Sequence, residues 1–153
     1  MAGGFYIQPY IGVGALHFGM EKSEVESLVG PPIISDTGFL GEATEYRRGN
    51  ELLTTYDQKN HTLVEIGIGR RIVELEYEGM EIFTMPPLEV LRKLIELDGS
   101  PFECVGFIVL LELGMTLTGF HDGDIDQKAV TVFERGRWSD LIPDLKPFVM
   151  DGK

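Results

Sequence analysis

The densest run of metal-type side chains is HDGDIDQK, residues 121–128, where Asp122, Asp124 and Asp126 stand at i, i+2 and i+4 like the opening of a calcium loop. Such a loop also needs a glycine at its sixth position and a glutamate at its twelfth. Counted from Asp122 these positions hold Gln127 and Phe133. Asp122-Gly123 is in addition a strong hairpin signal, so an acidic solvated turn is expected there. The three histidines, His17, His61 and His121, lie far apart in sequence, so none forms a helical metal pair. His61 and His121 fall near two expected hairpin tips and read as surface residues. Cys104 is the only cysteine, which excludes an internal disulfide and a multi-cysteine metal centre. Its neighbours Phe102, Val105, Phe107 and Ile108 predict a buried, unreactive thiol. No serine stands in a G-x-S-x-G elbow, no phosphate-binding loop is present, and Gly12-Val13-Gly14 with Gly19 lacks dinucleotide spacing. No metal and no cofactor is therefore expected.

What remains is carboxylate. Asp and Glu number 25 against 13 Lys and Arg, a net charge of −12. So acidic a chain repels nucleic acid and anionic membrane and attracts basic partners. Glu74, Glu76 and Glu78 alternate with apolar residues in RIVELEYE, and Glu21, Glu24 and Glu26 crowd an early helical stretch. Two readings compete: a surface made acidic for solubility, or one that steers a basic protein partner. Tyr46, Tyr56, Phe120 and Trp138 are possible anchors for such a partner, with a core position as the competing role. The expected partner-binding set is Glu74, Glu76, Glu78, Asp122, Asp124 and Trp138. Paired carboxylates acting as general acid and base in a small hydrolase are an alternative; they would need a cleft and a raised pKa.

These residues must be carried by strands. Glycine makes up 19 of 153 residues, well above the usual ~7%, which suggests many turns. LLTTY (52–56) and TLVEIGI (62–68) flank a polar loop, as do MTLTGF (115–120) and AVTVFE (129–134), so two hairpins are predicted. Residues 71–78 read as a half-buried strand with Val73, Leu75 and Tyr77 inward, and residues 102–112 as one strand buried on both faces. Helices are expected over 21–29 and over 86–97, the second with an apolar stripe of Leu88, Leu91, Leu94 and Ile95. A third short helix is expected at 138–141. The order strand, helix, three strands occurs twice: Phe18-Gly19-Met20 and Phe83-Thr84-Met85 stand 65 positions apart. The chain is thus read as one α+β domain, 1–153, of two halves at about 1–70 and 71–153. The start MAGGFYIQPY carries no secretory pattern and the longest apolar run, 105–111, is far too short to span a bilayer, so a cytoplasmic protein is expected.

The segment FGMEKSEVESLVGPP, through Phe18, Gly19, Met20, Val25, Leu28, Gly30 and Pro31, resembles the helix entry of the β-lactamase-inhibitor-like repeat, which also occurs in small outer-membrane assembly lipoproteins. With IQPYIGVGALHFGM, LLTTYD, TLVEIGI and VFERGRW it is similar to bacterial immunity proteins encoded beside polymorphic toxins. The second copy departs from the motif, with Thr84 in place of glycine and Leu97-Asp98-Gly99 as its end. The lipoprotein branch would call for a lipidated N-terminal cysteine, and Cys104 is not one. The resemblance implies two tandem helix-plus-three-strand repeats, a curved antiparallel sheet with both helices on one face, and a concave face free for a partner. It implies a non-enzymatic inhibitor, monomeric or weakly dimeric, that occludes a basic toxin domain. A homo-oligomer paired through exposed edge strands is the third possibility.

Overall fold

A computed structural model describes residues 4–38, 41–49, 51–121 and 127–150. Three short strands open the chain, β1 (Ile7–Gln8), β2 (Gly12–Val13) and β3 (Leu16–His17), and pair as a small sheet. Helix α1 (Lys22–Val29) follows, its first turn closed by Glu24, whose carboxylate accepts the Glu21 amide at 3.0 Å. Strands β4 (Ile34–Thr37), β5 (Ala43–Arg47), β6 (Leu52–Tyr56) and β7 (Leu63–Gly69) come next, then the two-stranded ribbon β8 (Glu76–Tyr77) and β9 (Met80–Glu81). Helix α2 (Pro87–Asp98) starts on the prolines and stops at Gly99, whose φ of 85° suits the left-handed cap. Strands β10 (Phe102–Cys104), β11 (Phe107–Leu110), β12 (Met115–Thr118) and β13 (Ala129–Phe133), a 3-10 helix at Ser139–Asp144 and strand β14 (Lys146–Pro147) complete the chain.

The result is an α+β fold on one large antiparallel sheet of nine strands, ordered β14-β10-β11-β12-β13-β7-β6-β5-β4. Register turns period-two sequence into a continuous apolar face. Ile108, Leu117, Val130, Ile68 and Leu52 are successive partners across five strands, and Leu110, Met115, Val132, Ile66 and Thr54 form the adjacent row. All ten are buried. Val25 of α1 and Val90, Leu91 and Leu94 of α2 join the same core, as do Val13 and Leu16 of the first ribbon. The opposite face is only partly open: Thr55, Val109, Thr116 and Phe133 are buried on it. Each helix leads into four strands, one more than the sequence suggested, because β4 is short and exposed and carries little periodic signal, and because the single strand expected at 102–112 is β10 and β11.

Several expectations need correction. Residues 71–78 are not one strand. The chain turns twice there, through Ile72 N–H to Gly69 O (3.1 Å) and Leu75 N–H to Ile72 O (3.2 Å), leaving only Glu76–Tyr77 extended. Ile72 and Leu75 take the core positions, and Val73 is 55% exposed. Residues 102–112 are two strands, not one, folded back at Val105-Gly106. The α2 stripe is rotated: Val90 is buried and Leu88 is 51% exposed.

Candidate binding groove

The turn at the β10–β11 tip is set by two left-handed residues, Val105 (φ 48°) and Gly106 (φ 86°). Two successive positive φ values are the requirement of the two-residue turn that matches strand twist. Gly106 meets it without strain; a β-branched valine does not. Val105 is nonetheless there, 91% exposed, with Phe107 beside it at 41%. Facing this tip is the segment that leaves β13. Trp138 packs on the buried Phe133 (ring centroids 6.1 Å apart), and the 3-10 helix after it presents Leu141 and Asp144. Together Glu103, Cys104, Val105, Phe107, Trp138, Leu141, Asp144 and Lys146 line an open groove of about 560 Å³. Its lining is mostly apolar, with Glu103, Asp144 and Lys146 as the charged members, and Asp140 is exposed on the same 3-10 helix.

The groove is braced from behind by aromatic packing. The Tyr10 ring meets Phe133 edge-on at 5.9 Å and carries the Arg135 guanidinium over its face at 4.0 Å. Its hydroxyl donates to the Leu111 carbonyl. Gly114 is required beneath it, since a Cβ there would stand 3.0 Å from the ring. Arg137 adds an ionic brace. Its Nη1 and Nη2 donate to the two Glu42 oxygens at 2.6 and 2.8 Å, and its Nε donates to Glu65 at 3.0 Å. This fork holds the Glu42 carboxyl below its ordinary range, and the two carboxylates raise the guanidinium's pKa.

Of the expected binding residues that are described, Trp138 lies in the groove and Glu74, Glu76 and Glu78 do not. Glu74 sits in the turns after β7 and pairs with Arg48 at 3.5 Å. Glu76 is on β8 opposite Glu81, and Glu78 occupies a left-handed turn position at φ 53°. Glu78 lines a separate shallow depression with Met80, Met85 and Lys93. The three glutamates are therefore not one strand face, because the strand that would have aligned them is a pair of turns. Asp122 and Asp124 lie outside the described residues. Tyr56 and Phe120 are buried core. Cys104 is half-buried in the groove wall rather than sealed in a strand, because the hairpin reverses beside it. His121 is half-buried against Phe148, with no hydrogen-bond partner for Nδ1 among the described residues, which corrects its assignment to the surface.

Glu103, Leu141 and Asp144 were not singled out in the sequence, and Val105 and Phe107 were read only as apolar surroundings of Cys104. Gly106, isolated within an apolar run, is the one signal that could have revealed the tip. Among the described residues two carboxylates, Glu45 and Asp98, are buried elsewhere. Glu45 is engaged by Arg47 and Tyr56, and Asp98 accepts the amides of Ser100, Glu112 and Leu113. Neither lines the groove. Among the described residues no group of three or more His, Cys, Asp or Glu side chains is placed to hold a metal ion, and no helix is long and apolar enough to cross a membrane. Compared with protein families, characterised proteins and solved structures, the chain matches none of them.

Proposed function

We propose that this chain is a non-enzymatic binding protein whose groove between the β10–β11 tip and Trp138 docks on a basic protein domain, in the manner of an immunity protein occluding a toxin. The observation that carries this reading is Val105. A β-branched residue in the left-handed region costs of order 1 kcal/mol or more, and an exposed valine gains nothing for the fold in return. Local rules are broken in this way where function demands it. With Val105 the groove is lined by a tryptophan, a phenylalanine and a leucine, the composition of an interface centre, and by the charged Glu103, Asp144 and Lys146. The overall charge of −12 favours a basic partner. The buried Asp98 has both oxygens and the buried Glu45 its Oε1 engaged within the fold, which favours binding over carboxylate catalysis.

The same reading treats the chain as two tandem units. Helix α1 leads into β4–β7 and α2 into β10–β13, and the last strands of the two sets, β7 and β13, lie side by side. A short ribbon precedes each helix. Such a topology is what duplication and fusion of one module would leave.

The test is Val105→Asn. Asparagine accepts the left-handed conformation, so the variant should be more stable by roughly 1 kcal/mol. It should also bind the toxic domain encoded beside its gene about tenfold more weakly, since a central apolar contact is worth over ~1 kcal/mol. Calorimetric titration, with growth rescue on co-expression, reads the second effect. Binding unchanged by Val105→Asn and by Trp138→Ala would remove the groove from the interface.

A further inference from the structure

We infer that Arg137 is the positioning residue that shapes the groove: its fork onto Glu42 and Glu65 latches the Trp138 segment to strands of the other half of the chain. The inference rests on the binding role given to the groove above, but the latch itself is a property of the free protein.

The geometry begins where β13 ends. The Glu134 amide donates to Val64 O at 2.9 Å, continuing the β7 pairing by one residue. The chain then reverses through Gly136 (φ 88°), with Arg137 N–H donating to Glu134 O at 3.1 Å. This turn aims Arg137 back across the sheet, where it meets Glu65 of β7 and Glu42 at the entry to β5. These partners stand 72 and 95 residues away in sequence. The next residue is Trp138, and the groove's 3-10 helix follows directly.

The hold is specific to arginine. One carboxylate is taken by two parallel N–H bonds and a second by Nε, a planar fork that an ammonium cannot reproduce. Without the guanidinium, Glu42 and Glu65 would face one another with like charge. Other charges near the cluster are few: Asp57 acts on Glu42 from the β6–β7 loop, with Lys59 beside it. Past the latch, the segment regains strand pairing only at β14, where Lys146 and Pro147 meet Glu103 and Phe102 of β10. The groove wall is thus a strap fixed at both ends, by Arg137 at one and by β14 at the other.

Trp138 is the only tryptophan, so the strap reports on itself. Acrylamide quenching of its fluorescence should be compared in the free wild-type protein, Arg137→Ala, Arg137→Lys and Glu42→Gln. Arg137→Ala should raise the quenching constant about threefold and red-shift the emission, with the far-UV spectrum of the sheet unchanged. Arg137→Lys should restore part of the protection and Glu42→Gln should lose part of it. Val25→Ala, which opens a cavity under α1 on the sheet face opposite Phe133, should leave quenching as in wild type. Equal quenching in wild type and Arg137→Ala would overturn the latch, and so would an equal rise in Val25→Ala. Should Arg137→Ala not fold, wild-type quenching in both Arg137→Lys and Glu42→Gln overturns it equally. Val105→Asn separates the two ideas, since it should leave quenching untouched. If Arg137→Ala frees Trp138 while the toxic domain still binds it as tightly as wild type, the latch stands and the groove's binding role falls.

Discussion

The most constrained single residue is Arg47. It is 2% exposed, and every direction of its guanidinium is used: Nε to Gly30 O at 2.7 Å, Nη1 to the Thr54 hydroxyl at 2.9 Å and Nη2 to Glu45 at 3.0 Å. The Tyr56 hydroxyl completes the set by donating to Glu45 at 3.0 Å. The network ties the end of α1 to β5 and β6 inside the core. Removing one partner of a buried pair strands the other, so Arg47→Ala should cost about 3–5 kcal/mol in urea unfolding. A loss under ~1 kcal/mol would mean that water already reaches the pair. Tyr56 supplies a pH test. Burial, with Glu45 beside it, pushes its phenol up to about 12. The folded state therefore keeps a proton that the unfolded chain gives up near pH 10. Stability from this group is whole below pH 10 and is lost as pH rises toward 12. Over that window the wild type should weaken relative to Tyr56→Phe in urea midpoints; parallel curves would show that the phenol is solvated. None of this could be read from ATEYRRGN, where the buried Arg47 and the half-exposed Arg48 are the same letter side by side. Which arginine turns inward is decided by strand register, a property of pairing rather than of composition.

Among the elements, those with long and regular patterns were legible. The hairpin strands 52–56 with 63–69 and 115–118 with 129–133, and both helices, stand within a residue or two of expectation, because alternation or a 3.6-residue stripe persists through each. Residues 71–78 misled because alternation of glutamate with apolar residues also arises from consecutive turns that bury every apolar group but Val73. Residues 102–112 misled because a valine stands where a turn usually shows asparagine. The candidate groove is made of that misread hairpin and the segment after β13, so of its lining only Trp138 was expected to bind, while Cys104, Val105 and Phe107 were read as interior. Asp98 shows how an element end is fixed. At the last residue of α2 its Oδ1 accepts the amides of Glu112 and Leu113 at 2.9 and 3.0 Å, and its Oδ2 that of Ser100 at 3.1 Å. The carboxylate thus ties the turn that leaves the helix to the β11–β12 turn, while the Gly99 amide caps the helix on Ile95 O. Burial raises its pKa while the three amides pull the other way. Asp98→Ala leaves those amides unmatched and should cost about 3 kcal/mol, since each buried orphan donor is worth ~1–3. Amide exchange should accelerate at Glu112 and Leu113 first; protection retained there would show that the carboxylate does not hold them.

At the scale of the whole molecule, everything turns on the seam between β7 and β13. Five residue pairs cross it, from Ala129–Gly69 to Phe133–Glu65, and the core rows run through it at Ile66–Val132 and Ile68–Val130. No other strand pairing in the nine-stranded sheet joins the two halves of the chain. A sheet split there would expose a long unpaired edge and half of each apolar row, so neither half has a closed core of its own. The core confirms the dependence, drawing on residues from Phe5 to Val132 as one cluster. Folding should then be a single event, with no stage at which one half stands alone. Ile66→Ala tests this. Ile66 is fully buried between Thr54 and Val132, and truncating it should cost about 2–5 kcal/mol. The informative readout is whether two probes move together. Trp138 emission reports the segment after β13, and amide exchange at Val25 and Leu52 reports the first half. In a cooperative molecule both shift to the same lower urea midpoint, because the truncated side chain belongs to a core that neither half owns. If the amides of the first half lose protection while Trp138 keeps its wild-type midpoint, the seam is a contact between two separately stable units, and the candidate groove stands on the second of them alone.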